Sequence, residues 1–168
     1  GIPVASRLWP LPASHALRTA WSILGHPSAE RLLGSFDALL YTDWMTPPQR
    51  SGLRATTIHD LNPLHHPEWC TRRTIAMHRR KDADAVSRCD VVFTNSRYTA
   101  DDATATLGIE AERLVVAHPG VGDEYRPEGD RATFDGRKYI LGVGTLEPRK
   151  NLRRLVEAWR LLGGEHRL

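Results

Sequence analysis

Short apolar runs that do not alternate, each set off by a stretch of helical spacing, constrain this chain more than any other feature. Phe36-Asp37-Ala38-Leu39-Leu40-Tyr41, residues 54–58, Asp90-Val91-Val92-Phe93-Thr94 and residues 113–117 have this character. A fifth run, Tyr139-Ile140-Leu141-Gly142-Val143, carries a glycine. A strand with one wet face alternates apolar and polar residues, whereas a strand in a parallel sheet covered on both faces does not. Strands of this kind separated by helices predict a doubly wound α/β layer.

The helices have their own signals. Leu17, Ala20, Trp21 and Leu24 recur at helical spacing until Gly25-His26-Pro27 stops them. Residues 68–88 are charged and free of Gly and Pro, which predicts a long helix. Ser96 is placed to cap the next helix, with Asp101 and Asp102 near its positive end, and Gly108 ends it. Near the C-terminus, Leu152, Leu155, Val156, Trp159 and Leu162 form an apolar stripe that Gly163-Gly164 closes.

Composition changes after Pro119. Residues 121–137 hold Pro, Gly and charge with few large apolar side chains, and read as an interdomain linker. The 168 residues suffice for one ordinary domain or two incomplete ones. The chain opens on Gly1-Ile2-Pro3-Val4 without Met and stops just after a helix stop, so both ends read as cut. A net charge of +3 is too small to argue for a nucleic-acid partner, though it suits anionic phosphates or lipid head groups. Cys70 and Cys89 make neither a disulfide framework nor a zinc motif, which points to a reduced, cytosolic chain. No apolar run approaches the ~20 residues that span a bilayer.

The strongest local signal for chemistry is Gly142-Val143-Gly144-Thr145-Leu146-Glu147-Pro148-Arg149-Lys150-Asn151. Glycines at a strand end let a ligand approach the backbone, and the helix N-terminus that follows favours an anion. Arg149 and Lys150 add cations suited to a diphosphate. The plainer alternative is a tight strand–helix turn with a solvated Arg-Lys pair. Neither a Walker loop nor a dinucleotide fingerprint is present.

His59-Asp60, directly after a predicted strand, is the second signal. A histidine there can donate to a phosphate or a sugar hydroxyl, with Asp60 fixing its orientation; the alternative is a turn aspartate beside a partly buried histidine. His59, Asp60, His65, His66 and Cys70 together raise a metal-dependent hydrolase as a rival reading, although the cluster straddles the prolines Pro63 and Pro67. Arg72, Arg73, Arg79, Arg80 and Lys81 make a basic stretch suited to anionic lipid or to a phosphorylated acceptor. Asp82 and Asp84 interrupt it, and a solvated surface helix is the simpler expectation.

Three blocks resemble glycosyltransferase family 4, the retaining enzymes of the GT-B fold. The first is Thr56-Thr57-Ile58-His59-Asp60-Leu61 with His66-Pro67-Glu68. The second is residues 89–100 followed by residues 113–121, and the third is residues 139–158 around Glu147-Pro148-Arg149-Lys150-Asn151-Leu152. The resemblance implies two Rossmann-like domains, both incomplete in this chain. Residues 1–120 would be the C-terminal portion of the acceptor-side domain, and residues 138–168 the start of the nucleotide-sugar-binding domain. It implies that Arg149 and Lys150 hold the donor diphosphate and stabilise its departure, that Gly144 and Thr145 line the phosphate loop, and that His59 serves the transferred sugar from the first domain. Many relatives carry Arg where this chain has Thr145. The implied reaction moves a hexose from a nucleotide-diphosphate sugar, GDP-mannose by analogy with mannosyltransferase-like members, to a polysaccharide or glycolipid acceptor. No cofactor and no catalytic metal are expected. The expected location is the cytoplasm, with peripheral contact at the inner face of the membrane, and the chain alone is expected to be inactive. The family's upstream glycine-rich loop and downstream glutamate pair are not in this sequence, as expected of a chain cut at both ends; a non-catalytic remnant of the fold is the third reading.

Overall fold

Strand β2, Leu53–Ile58, is the axis of the first of two units. The computed structural model describes residues 14–42, 44–126, 138–163 and 166, and the chain divides into Gly1–Pro119 and Gly120–Leu168. In the first unit β2 pairs on one side with β1, Ala38–Tyr41, and on the other with β3, Val91–Thr94; β3 then pairs with β4, Leu114–Val116. All pairings are parallel and the order is β1-β2-β3-β4. The register sets Tyr41 beside Thr56, Ile58 beside Thr94 and Thr94 beside Val116. The architecture is the α/β parallel sheet that the non-alternating runs predict. Their logic holds best in the middle: Arg54, Ala55, Thr56 and Ile58 of β2 are buried, whereas edge strand β1 leaves Leu40 half exposed.

Helices α1, Ser14–Leu24, and α2, Ala29–Leu33, precede the sheet. From β1 the chain returns to β2 through residues 42–52, with no helix among the described residues there. Other bonds hold this crossover. Glu30 of α2 accepts from the backbone N–H of Arg50 at 2.7 Å and of Ser51 at 2.9 Å. Those backbone bonds favour the charged carboxylate and draw it down to about 2. Gly52 closes the turn at φ +75°, and a Cβ there would stand 2.8 Å from the carbonyl oxygen of Asp37.

The β2–β3 crossover runs through α3, Asn62–His65, a 3-10 turn at Pro67–Trp69, and α4, Arg72–Arg88. The predicted helix over residues 68–88 therefore begins later, because Thr71 caps it: its hydroxyl accepts from the N–H of Thr74 at 3.1 Å. Nor is α4 solvated all round. Arg72, Arg73 and Arg79 are exposed, but Lys81, Asp82 and Asp84 are buried. The carboxylate of Asp84 accepts from the Tyr41 hydroxyl, pairs with Arg88, and lies 3.7 Å from Nη1 of Arg54. The end of α4 is closed by Arg113, whose guanidinium donates to the carbonyls of Ala85 at 2.7 Å, Val86 at 3.0 Å and Cys89 at 3.0 Å. Those are orphan acceptors of a helix C-terminus.

Helix α5, Arg97–Leu107, joins β3 to β4 and behaves as predicted: Ser96 accepts from the N–H of Thr99 at 3.1 Å, and Gly108 ends it at φ +71°. Ile58, Leu61, Ala85, Val92, Ala103 and Ile109 make up most of the core between sheet and helices.

In the second unit, α6, Leu152–Leu161, forms with Leu152, Leu155, Val156 and Trp159 half-buried. The strand predicted over residues 139–143 does not: only Tyr139 makes an isolated bridge. A strand persists through its ladder, and among the described residues no second strand lies beside it. Gly142 is nonetheless where α6 packs on this segment, since a Cβ there would come within 2.9 Å of Leu155 Cδ2. Most of the predicted linker, residues 127–137, lies outside the described residues, as do Gly164 and residues 167–168.

Gly52 and Gly108 share a positive φ, but a Cβ at Gly108 would meet nothing within 4 Å. Gly52→Ala should therefore destabilise by more than about 1 kcal/mol and by more than Gly108→Ala does. Denaturant midpoints of the two variants compare them; equal losses would show that contact with the Asp37 carbonyl does not matter.

Candidate functional site

His59 and Asp60 stand exposed at the carboxyl end of β2, the usual ligand edge of a parallel sheet. Two neighbours fix the turn they make. The Asp60 carboxylate accepts from the N–H of Asn62 at 3.0 Å, turning the chain into α3. The hydroxyl of Thr99, in the first turn of α5, lies 3.3 Å from the carbonyl oxygen of His59, 3.1 Å from Asn95 Oδ1 and 2.9 Å from Ser96 Oγ. His118 approaches the same region, with Nδ1 at 3.1 Å from the Asn95 carbonyl.

Behind this turn is a small pocket of about 40 Å³, where Ile58, His59 and Asp60 meet His78, Lys81 and Asp82 of α4. Asp82 is only 6% exposed. Burial pushes its carboxyl up to about 6, against the opposing pull of Lys81. His78 is pushed down by burial, with Asp60 opposing. The Lys81 ammonium donates to the carbonyl of Thr42 at 3.2 Å.

Beyond Asp60 opens a wider cleft of about 480 Å³, lined among others by Asn62, His65, Tyr98 and Asp102. His65 Nε2 is 2.9 Å and 3.0 Å from the two carboxylate oxygens of Asp102, one of which also accepts from the Thr106 hydroxyl at 2.8 Å. His66 takes a different course: its ring stacks on Trp69 at 3.8 Å, with Nδ1 at 3.2 Å from Glu68. The residues of the metal-hydrolase reading thus turn to separate partners, and among the described residues no three His, Cys, Asp or Glu are grouped to hold a metal ion.

In the second unit, Gly144, Thr145, Arg149 and Lys150 share one loop, organised by Glu147. Its carboxylate accepts from the Thr145 hydroxyl at 2.8 Å and from Arg149 Nε at 2.6 Å. Thr145, then Arg149, holds the Glu147 carboxyl below its ordinary value. Lys150 runs alongside Gly144 and is exposed, its Cγ and Cδ 3.7 Å and 3.8 Å from where a Cβ on that glycine would stand. Pro148–Lys150 forms a 3-10 turn, Asn151 takes a left-handed conformation at φ 50°, and no side chain caps α6. Exposed cations beside an uncapped helix start suit an anion. His59 belongs to the other unit.

Four residues around these sites escape a local reading. Glu147 lies within the quoted motif but has no role assigned from sequence. Asp102 reads as a charge near a helix start, yet its partner is His65, 37 positions away. Thr99 has no role assigned from sequence and Asp82 reads only as an interruption of a basic stretch, because their partners lie on other elements.

A parallel α/β sheet with polar residues gathered at its strand ends defines a Rossmann-like protein. The pattern of Glycosyltransferase Family 4 matches residues 5–125, and the chain belongs to that family. It is 24% identical over 129 residues to O-antigen chain mannosyltransferase B of Escherichia coli, an alignment covering 72% of this chain and 34% of that protein. The chain thus spans about a third of the length of this relative. No solved structure matches it. Among the described residues no helix is long and apolar enough to cross a membrane.

The raised carboxyl of Asp82 has a testable sign. A folded-state value of about 6 against an unfolded value of about 3.9 means that the folded chain binds the proton more tightly. The associated stability is present below about pH 4 and is lost as the pH rises through about 6. Asp82→Asn should therefore gain on the wild type between those values, as read from denaturant midpoints across the range. A constant difference between the two proteins would place Asp82 at an ordinary value.

Proposed function

We propose that the protein carrying this chain transfers a hexose from a nucleotide-diphosphate sugar to a saccharide or lipid-linked acceptor, with retention of anomeric configuration. The observation that carries the reading is the loop of Lys150, Arg149 and Gly144 at an uncapped helix start, in a chain that belongs to Glycosyltransferase Family 4. The chemistry follows from charge. Departure of a nucleoside diphosphate builds negative charge on the leaving oxygens, and preorganised cations and N–H groups stabilise it without reorganising. Lys150 supplies a point charge beside Gly144; Arg149 supplies a planar donor that Glu147 keeps oriented. Gly144 and Thr145 leave the backbone open to the phosphates. These groups meet the developing charge, so the reading requires no metal and no cofactor.

His59 serves the transferred sugar as a hydrogen-bonding group at the end of β2, its backbone fixed by Thr99. The name of the E. coli relative supports mannose as the hexose and a polysaccharide chain as the product, which makes GDP-mannose the first donor to try.

The test is Lys150→Ala in the full-length protein. It should lower kcat/KM by at least about tenfold, equivalent to roughly 1.4 kcal/mol of lost transition-state stabilisation. Unchanged turnover in a folded variant removes Lys150 from the mechanism.

A further inference from the structure

Helix α4 buries two carboxylates, and the fold accounts for only one of them. Asp84 is bonded or ion-paired to Tyr41, Arg54 and Arg88. Asp82 is 6% exposed, yet among the described residues it accepts no hydrogen bond. Burial acts on it first, and then the charges of Lys81 and Asp60. A buried carboxyl without a hydrogen-bond partner costs stability. Stability therefore gives no reason for a carboxylate at this position.

The place where it is buried gives one. Asp82 lines the pocket of about 40 Å³ together with His59 and Asp60 from the end of β2 and His78 and Lys81 from its own helix. We propose that Asp82 is the positioning carboxylate of His59: with the sugar bound, it accepts a ring N–H of His59 and so fixes which nitrogen faces the sugar. The proposal rests on the role given to His59 in the glycosyltransferase reading and adds the group that orients it.

The chemistry of imidazole supports it. A neutral ring carries one donor nitrogen and one acceptor nitrogen, and the partner of one decides what the other can do. A carboxylate only accepts, so it fixes that choice firmly. Asp60 is the obvious candidate in the sequence, being next to His59. The structure commits its carboxylate to the N–H of Asn62 at 3.0 Å, where it sets the turn into α3. Asp82 comes from another element, has no hydrogen bond of its own to give up, and is shielded from water, where a charge-assisted bond is strongest. The Lys81 ammonium beside it favours its charged form against the effect of burial.

The scaffold supports it too. Lys81 donates to the carbonyl of Thr42 at 3.2 Å, and Asp84, two residues on, is anchored to β1 and β2. Asp82 is thus held between two fixed points of α4. The His59 backbone is steadied by the Thr99 hydroxyl, 3.3 Å from its carbonyl oxygen, but among the described residues no hydrogen bond holds its ring. Hydrogen bonds of this kind are often open in an unliganded site and close when substrate binds.

The experiment is a double-mutant cycle in the full-length protein. His59→Ala, Asp82→Asn and the double variant are assayed with nucleotide-sugar donors, GDP-mannose first, at a pH well above 6, where Asp82 is charged. Denaturant midpoints give the stability of each. Asp82→Asn should exceed the wild type in stability and yet lose about tenfold in kcat, with the donor KM unchanged. In the His59→Ala background the same substitution should cost less than about twofold, because the ring it orients is gone. A merely structural role predicts the opposite, lost stability and an equal loss of turnover in both backgrounds, and that pattern overturns the proposal. So does full turnover of Asp82→Asn where His59→Ala is impaired. If His59→Ala alone is fully active, the role of His59 falls and the proposal with it. If the wild type turns over no nucleotide sugar, the glycosyltransferase reading itself falls first.

Discussion

The carboxylate of Asp84 is the contact on which the first unit turns. It is 3% exposed, one turn from the C-terminal end of α4, and it meets Tyr41 of β1, Arg54 of β2 and Arg88 of its own helix. A charge so deeply placed is tolerable only when paired and hydrogen-bonded, and removing one partner strands the other. Arg54 extends the cluster by donating to the carbonyls of Pro47 at 3.0 Å and Gln49 at 3.1 Å. One buried group thereby ties together the long helix, two strands and the loop between them. Tyr41 fits this role: burial first, and then the bond to Asp84, raises its phenol well above the ordinary range, so it remains a donor.

The same anchor reaches the candidate site. His78, Lys81 and Asp82 lie on the stretch of α4 leading to Asp84, so fixing Asp84 fixes the height at which they pass beneath His59 and Asp60. From the far side, Thr99 holds the His59 carbonyl. The turn at the end of β2 is therefore set by α4 below and α5 beside it, not by its own short sequence. The two loops also differ in charge. The one in the first unit carries Asp60; the one in the second carries Arg149 and Lys150.

What the sequence made legible was whatever depends on near neighbours. The strands could be read because a doubly covered parallel sheet demands continuous apolar runs, and α5 because Ser96 and Gly108 mark its ends. Helix α2 could not, since the five residues of Ala29–Leu33 are too few to display a period. The buried charges of α4 were missed because Tyr41 and Arg54, which make their burial tolerable, lie 43 and 30 residues from Asp84 in sequence. The pairing of His65 with Asp102 is distant in the same way. The run at residues 139–143 has a strand's composition, but composition cannot supply a pairing partner. Of the loop around Arg149, the sequence offered the cations and glycines; it did not reveal that Glu147 gathers two of its members.

That gathering has a kinetic meaning. Arg149 already faces a carboxylate, so a diphosphate arriving at the loop does not meet a naked cation. It competes with a resident anion built into the chain. For an anion arriving there, entry is an exchange of partners, in which the guanidinium passes from Glu147 to the newcomer. Such an arrangement spares the empty loop the repulsion of two adjacent cations, and it favours ligands with enough charge to win the exchange. A singly charged anion offers little advantage over the carboxylate it must displace, so a loop built this way favours ligands of higher charge.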